Sequence, residues 1–245
     1  MIHKSSKPLI AATVVLIVFV AAHAQSHETK AISVRLGETV VFIPAPAGFE
    51  EVTSEFGDIK ERFIATEATQ NDMLVAFLQA SDCELAKRGE KPLMNQYAKV
   101  SVLRIGRELT ISSEAFAQIV NDFRKNGAKM LDPNDSAMKE LFRRADENLT
   151  RLNSKDNKIE LSEQPQNLGE FDVRPNVYSV MLLMPLKVEM AGNTVNVPVL
   201  ATMTYLRIKE KVIFVYGYKK YSAKGDVETL RDFSKNWYNR ILAAN

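Results

Sequence analysis

From Val177 to Met190 every even position is apolar: Tyr178, Val180, Leu182, Met184, Leu186, Val188 and Met190. The odd positions are apolar in the middle and end in Lys187 and Glu189. This period of two predicts a strand with one face in the core throughout and the other covered in part. Ala191-Gly192-Asn193 reads as a turn, Val195 to Ile208 as the returning strand, Lys209-Glu210-Lys211 as a second turn and Val212 to Lys219 as a third strand. Such an antiparallel meander belongs at the centre of a sheet.

Earlier in the chain the same reading predicts strands at Ala31 to Leu36, Glu38 to Ile43, Met73 to Gln79 and Tyr97 to Ile105. The second of these runs into Pro44-Ala45-Pro46-Ala47-Gly48, which ends it and sets Phe49 at a turn. Phe56, Ile59 and Phe63 recur at helical spacing and predict a short helix. A longer helix carries Phe116, Ile119, Val120 and Phe123 on one face, with Ser112 or Ser113 as N-cap and Gly127 expected just past its end.

A further helix is expected from Asp132, as cap, with Pro133 at the first helical position and an apolar stripe of Met138, Leu141, Phe142, Ala145, Leu149 and Leu152. The stretch Ser154 to Asn176, with Pro165, Gly169 and Pro175, includes a short strand near Lys158 to Ser162, and any domain break would fall there. A last helix, Asp226 to Leu242, places Val227, Leu230, Phe233 or Ser234, Trp237 and Ile241 on one face. Strands, then helices, then a meander and a helix describe one α+β domain, an antiparallel sheet with helices packed on it.

The first 24 residues change the picture. Lys4 and Lys7 precede an apolar run from Leu9 to Ala22, and Ala22-His23-Ala24 has the small-x-small form that signal peptidase cuts. The run is shorter than the about 20 residues a membrane-crossing helix needs. The expected protein is therefore residues 25–245, exported to the periplasm or secreted, with no stable membrane span after cleavage. Removing Lys4 and Lys7 from the 32 Lys and Arg leaves 30 against 30 Asp and Glu. A formally neutral protein gives no support to nucleic-acid binding.

Its chemistry is sparse. Beyond residue 24 the sole histidine is His27, close to the new N-terminus, which argues against Ser-His-Asp and Cys-His catalysis and against His/Cys zinc sites. Asp132-Pro133-Asn134-Asp135 lacks the glycine of a calcium loop, since Ala137 stands there and Lys139 follows, so helix capping explains it better. No Gly-rich phosphate loop occurs. Cys83, flanked by Asp82 and Glu84, reads as a structural or surface cysteine. Met181, Met184, Met190 and Met203 read as core filling, and Tyr216, Tyr218 and Tyr221 with Lys219 and Lys220 as sheet-edge packing, although an aromatic-basic patch would also suit a ligand. Asn148-Leu149-Thr150 matches a glycosylation sequon within the predicted second long helix. No catalytic, cofactor-binding or metal-ligating residue is assigned.

Two stretches carry a resemblance: Val41-Phe42-Ile43-Pro44-Ala45-Pro46-Ala47-Gly48-Phe49, and Lys211 to Tyr216 followed by the helix with Trp237 and Ala243-Ala244-Asn245. They resemble uncharacterised exported bacterial proteins and, more loosely, the Mog1/PsbP-like fold. That resemblance implies an α/β/α sandwich without a catalytic centre, acting as an accessory factor that binds proteins. The expected function is thus non-catalytic binding of an envelope protein or a small ligand, with no cofactor. A carboxylate-dependent hydrolase, with or without a metal, and a secreted effector are the alternatives.

Overall fold

The structure is a computed structural model. It describes residues 31–130, 132, 134–136, 139–140, 143–145, 147–148, 157–161, 164–190 and 193–245. The expected signal peptide lies outside the described residues. In the stretch expected to be a helix capped by Asp132, the Asn134 amide donates to Asp132 Oδ1 at 2.8 Å, but residues 134 and 135 form a turn and the first described helical residue is 136, so Asp132 closes that turn rather than capping the helix. Residues 136, 139–140, 143–145 and 147–148 are helical, while Pro133, Met138, Leu141, Phe142, Leu149 and Leu152 lie outside the description.

Strands β1 (Ile32–Leu36) and β2 (Thr39–Ile43) form a two-stranded hairpin of their own. The main sheet contains β3 (Phe49–Glu51), β4 (Asn71–Gln79), β5 (Gln96–Leu103), β6 (Asn157–Leu161), β7 (Gln166–Arg174), β8 (Val177–Met190), β9 (Asn193–Ile208) and β10 (Lys211–Lys220). Its order is β3-β4-β5-β10-β9-β8-β6, with β7 also on β8, and every pairing is antiparallel. The expected meander is β8, β9 and β10. Its second turn is Lys209 and Glu210, with φ of +46° and +63°, the doubly left-handed geometry that matches the twist of a tight hairpin. Strand β10 lies between β5 and β9, so Tyr216 and Tyr218 are not at a sheet edge, and that expectation is corrected. The long-range partner β5 could not be read from a period of two.

Helices α1 (Gly57–Ala65), α2 (Ala80–Lys87) and α3 (Ser113–Met130) lie on one face, and α4 (Gly225–Ala243) with the β1–β2 hairpin on the other. The result is an α/β/α sandwich. Helix α4 buries Leu230, Ser234, Trp237, Tyr238 and Ile241. Trp237 donates its indole proton to Pro44 O at 2.8 Å and meets Phe77 edge-on at 5.5 Å. Leu36, Val41 and Ile43 of the hairpin join the same core. On the opposite face, Phe116, Val120 and Phe123 of α3 cover Tyr178 and Val180.

Two further expectations are corrected, and one helix was not foreseen. The burial of β8 grades along the strand rather than across it: residues 177–182 are buried on both faces, and 183–188 are only half-buried. The reason is that α3 and α4 sandwich the first half alone, so Met181 is fully buried while Met184 is not. Gly127 sits inside α3, against the Phe123 ring, rather than past its end. Ser112 is the cap, accepting from the Ala115 amide at 3.2 Å. Helix α2 was not expected at all. Its eight residues present only Asp82 and Cys83 as buried, too short a stripe for a periodic signal.

Candidate functional site

A cleft of about 940 Å³ opens beside the C-terminal half of α1 and the start of β4. Arg104 and Arg107 stand on one wall and Arg144 with Asn148 on another, while Glu61, Glu67 and Asp72 supply the acids. The described part of the 132–148 stretch reaches α1 here, because Asn148 Nδ2 donates to Ala65 O at 3.3 Å. That amide is the sequon asparagine, and its hydrogen-bonding group is already engaged.

The arginine turn follows directly from β5. Ile105 to Arg107 form one turn of 3₁₀ helix at the end of the strand. Lys211, 4% exposed, pins this turn by donating to Arg107 O at 3.1 Å and Leu109 O at 2.8 Å. Gly37, at φ +57°, lets the β1–β2 turn approach it, since a Cβ there would stand 3.3 Å from Arg107 O. Asp72 on β4 then aims the guanidinium groups: Arg104 Nε donates to it at 3.0 Å and Arg107 Nη1 lies 3.5 Å away. Arg107 also reaches Arg35 O at 3.2 Å. Arg104 therefore binds Asp72 through Nε and leaves its two terminal amino groups facing outward, with its side chain 64% exposed.

Beneath the cleft is a buried ion pair. Lys99 Nζ lies 2.7 Å from Glu67 Oε2, each side chain 7% exposed. Ser101 Oγ donates to the same oxygen at 2.8 Å and Asn71 Nδ2 to the other at 3.0 Å. Lys99 Nζ also stands 5.3 Å from the centroid of Tyr216. From there aromatic rings continue across the sheet: Tyr97 stacks on Tyr218 at 4.7 Å, Tyr218 on Tyr216 at 6.1 Å, and Phe214, Tyr205 and Phe123 carry the contact to α3. Surrounding protein desolvates the phenols, pushing Tyr97 up to about 12 and Tyr216 and Tyr218 well above the ordinary range.

Two of the three acids of the cleft, Glu67 and Asp72, are thus held by donors. Glu67 accepts three hydrogen bonds, and Asp72 faces two guanidinium groups. Neither has the apolar surroundings that ready a carboxyl to act as a general acid. Aliphatic groups are exposed as well: Ile64 in the cleft lining is 51% exposed, and Leu103 and Ile105, the chain neighbours of Arg104, are 36% and 75% exposed. Exposed aliphatic side chains between arginines are what a protein-docking surface presents.

The residues singled out in the sequence do not converge here. Cys83 is fully buried on the inner side of α2, and burial first, then the Glu50 carboxylate, pushes its thiol up to about 11. Tyr221 packs on the α4 face, away from Tyr216 and Tyr218. Lys219 pairs with Asp226 at 3.3 Å. His27 lies outside the described residues. Among the described residues no group of three or more His, Cys, Asp or Glu side chains is placed to hold a metal, and Asp132 accepts from the Asn134 amide in a turn. Sequence reading missed Glu67, Lys99 and Arg104. The one available signal was Lys99, a charge in the otherwise uncharged run Tyr97 to Leu103.

No family model and no curated protein matches the chain. Among solved structures it is similar to the Saccharomyces cerevisiae Ran-binding protein Mog1p, at 11% identity and TM-score 0.32, over 88% of this chain and 92% of that one. It is also similar to a mutant of protein Mog1, at 12% identity and TM-score 0.33, over 87% and 92%. The expected loose likeness to the Mog1 fold is present, as one of outline only.

Proposed function

We propose that the protein is exported and works by binding, and that its partner is a protein docking at the cleft between α1 and the arginine turn. The observation that carries the reading is the outward-facing Arg104 fork, set by Asp72 and flanked by exposed Ile64, Leu103 and Ile105. Arginine and aliphatic groups held in fixed positions suit a partner that presents a carboxylate next to apolar side chains. Export is supported by Lys4 and Lys7, the apolar run and Ala22-His23-Ala24. No described helix is long and apolar enough to cross a membrane. The commitment of Glu67 and Asp72 to donors favours binding over hydrolysis.

The test is chemical crosslinking in intact cells, followed by fractionation. A specific adduct with one envelope or extracellular protein is expected for the wild type, lost in Arg104→Glu combined with Ile105→Asp while the melting temperature is kept. An adduct unaffected by that pair of changes, or accumulation of the protein in the cytoplasm, would overturn the reading.

A further inference from the structure

Strand β9 outruns its neighbour. Its pairing with β10 covers Val199 to Ile208, whereas its pairing with β8 continues to Asn193. Asn193 to Pro198 therefore border the sheet on one side, and Asn193, Thr194, Val195 and Asn196 are exposed. The chain that follows β10 closes only the end of this border, where Tyr221 N donates to Pro198 O at 2.9 Å. This is the end of the meander away from Lys211 and the arginine turn.

Two prolines set which backbone groups face outward. Pro185 and Pro198 lie opposite each other on β8 and β9. Neither has an amide proton, so this is a non-hydrogen-bonded position, whose carbonyls point away from one another. The bond that Pro198 O accepts from Tyr221 agrees with that. Alternation along the strand then turns the N–H and C=O of Asn196 and Thr194 to the open side, and those of Val195 and Val197 toward β8. Among the described residues nothing bonds to the outward groups of Thr194 and Asn196.

A row of unpaired backbone groups is a template for another strand, and natural edges are blunted by proline, lysine, bulges or shortness. Two other borders of this sheet follow that rule: β3 has three residues and β7 two register shifts. Asn193 to Val197 contains no proline, no charge and no register shift. It is also complementary to itself. Set antiparallel to a second copy about Val195, Thr194 falls opposite Asn196 of that copy, and their outward groups satisfy each other in four hydrogen bonds. On one side of the joined sheet Val195, 52% exposed, meets its counterpart, beside the half-buried Val188 of each β8. On the other side a row crosses the junction from Lys187 and Asn196 of one copy to Thr194 and Glu189 of the second, so no like charges are opposed.

We propose that the protein self-associates through this edge, β9 pairing with β9 of a second copy about Val195. The surface is separate from the arginine cleft and does not depend on it. Sedimentation velocity of the purified protein over a concentration series tests it, with the melting temperature of each variant recorded beside it. The wild type is expected to pass from monomer to dimer as concentration rises, and amide exchange at Thr194 and Asn196 to slow in step. Asn196→Pro removes an outward N–H and spares the ladder to β8, so two bonds are lost per dimer and association should weaken about tenfold. Thr194→Lys with Asn196→Lys sets like charges opposite each other at the junction and should give monomer. Thr194→Lys with Asn196→Glu sets opposite charges there and should keep the dimer. A wild type that stays monomeric throughout, a dimer indifferent to Asn196→Pro, or equal behaviour of the two charged pairs would each overturn the assignment.

Discussion

Lys99 and Glu67 form an ion pair at 2.7 Å on the sheet face below α1, both almost sealed from water. The strand supplies the cation, the turn after α1 the anion, and Ser101 and Asn71 fill the remaining acceptor sites of the carboxylate. Taking two charges out of water is costly, and each is tolerated because the other is there. Lys99→Met alone should therefore destabilise the protein by about 3–5 kcal/mol, because Glu67 is left buried and unpaired. Lys99→Met with Glu67→Leu should recover most of that loss. Urea unfolding of the two single variants and the double variant measures the coupling, and simple additivity would contradict a paired site.

Lys211 acts on the arginine cleft from a distance through the carbonyls of Arg107 and Leu109. Lys211→Met keeps the aliphatic stem but leaves two carbonyls without their donor, at a cost of about 1–3 kcal/mol. Faster amide exchange is expected from residue 104 to 109, together with weaker partner crosslinking. Unchanged exchange in that turn would show that the arginines are held by other contacts.

Gly217 sits where α4 comes closest to the sheet. A Cβ there would lie 2.8 Å from Thr202 Oγ1 and 3.0 Å from Ser234 Oγ, two hydroxyls bonded to each other at 2.6 Å. Gly217→Ala should cost about 1–3 kcal/mol by overpacking. Adding Thr202→Ala should return part of it by removing the nearest atom. Thermal denaturation of both variants checks the order.

The tyrosines make a prediction at alkaline pH. Burial raises Tyr97 and Tyr178 up to about 12, from an ordinary value of 10.0, and raises Tyr216 and Tyr218 as well. Above pH 10 the unfolded chain has released phenolic protons that the folded protein still holds. Their contribution to stability is therefore complete below pH 10 and falls as pH rises through the folded values. Urea midpoints should drop above pH 10, and tyrosinate absorbance should appear together with unfolding. Early ionisation in a still-folded protein would contradict the burial of these rings.

The meander, the end helix and the strand before Pro44 were legible because each buries a face whose period shows in the local sequence. Trp237 and Ile241 fell where the helical period put them, and Tyr238, four residues after Ser234 and three before Ile241, shares that face, its hydroxyl satisfied by Asp172 at 2.5 Å. Helix α2 escaped notice because two buried residues in eight make no stripe. Strand β7 was hidden by Gly169 and by register shifts around it, which break the alternation. The cleft beside α1 could not be found by motif, since Glu67, Lys99, Arg104 and Arg144 follow no spacing rule.

By itself the sequence determined which segments could be strands or helices, because burying one face imposes a local period of two or of 3.6. It also determined the scarcity of imidazole and thiol chemistry, which is a matter of counting. The tertiary structure alone decided that β10 meets β5 across more than 100 residues of chain, with Tyr218 opposite Tyr97. That pairing brings Tyr216 over Lys99 and sets the ion pair beneath the cleft. Such contacts depend on which strands become neighbours, a choice made by the packing of whole layers and invisible in any short window of residues.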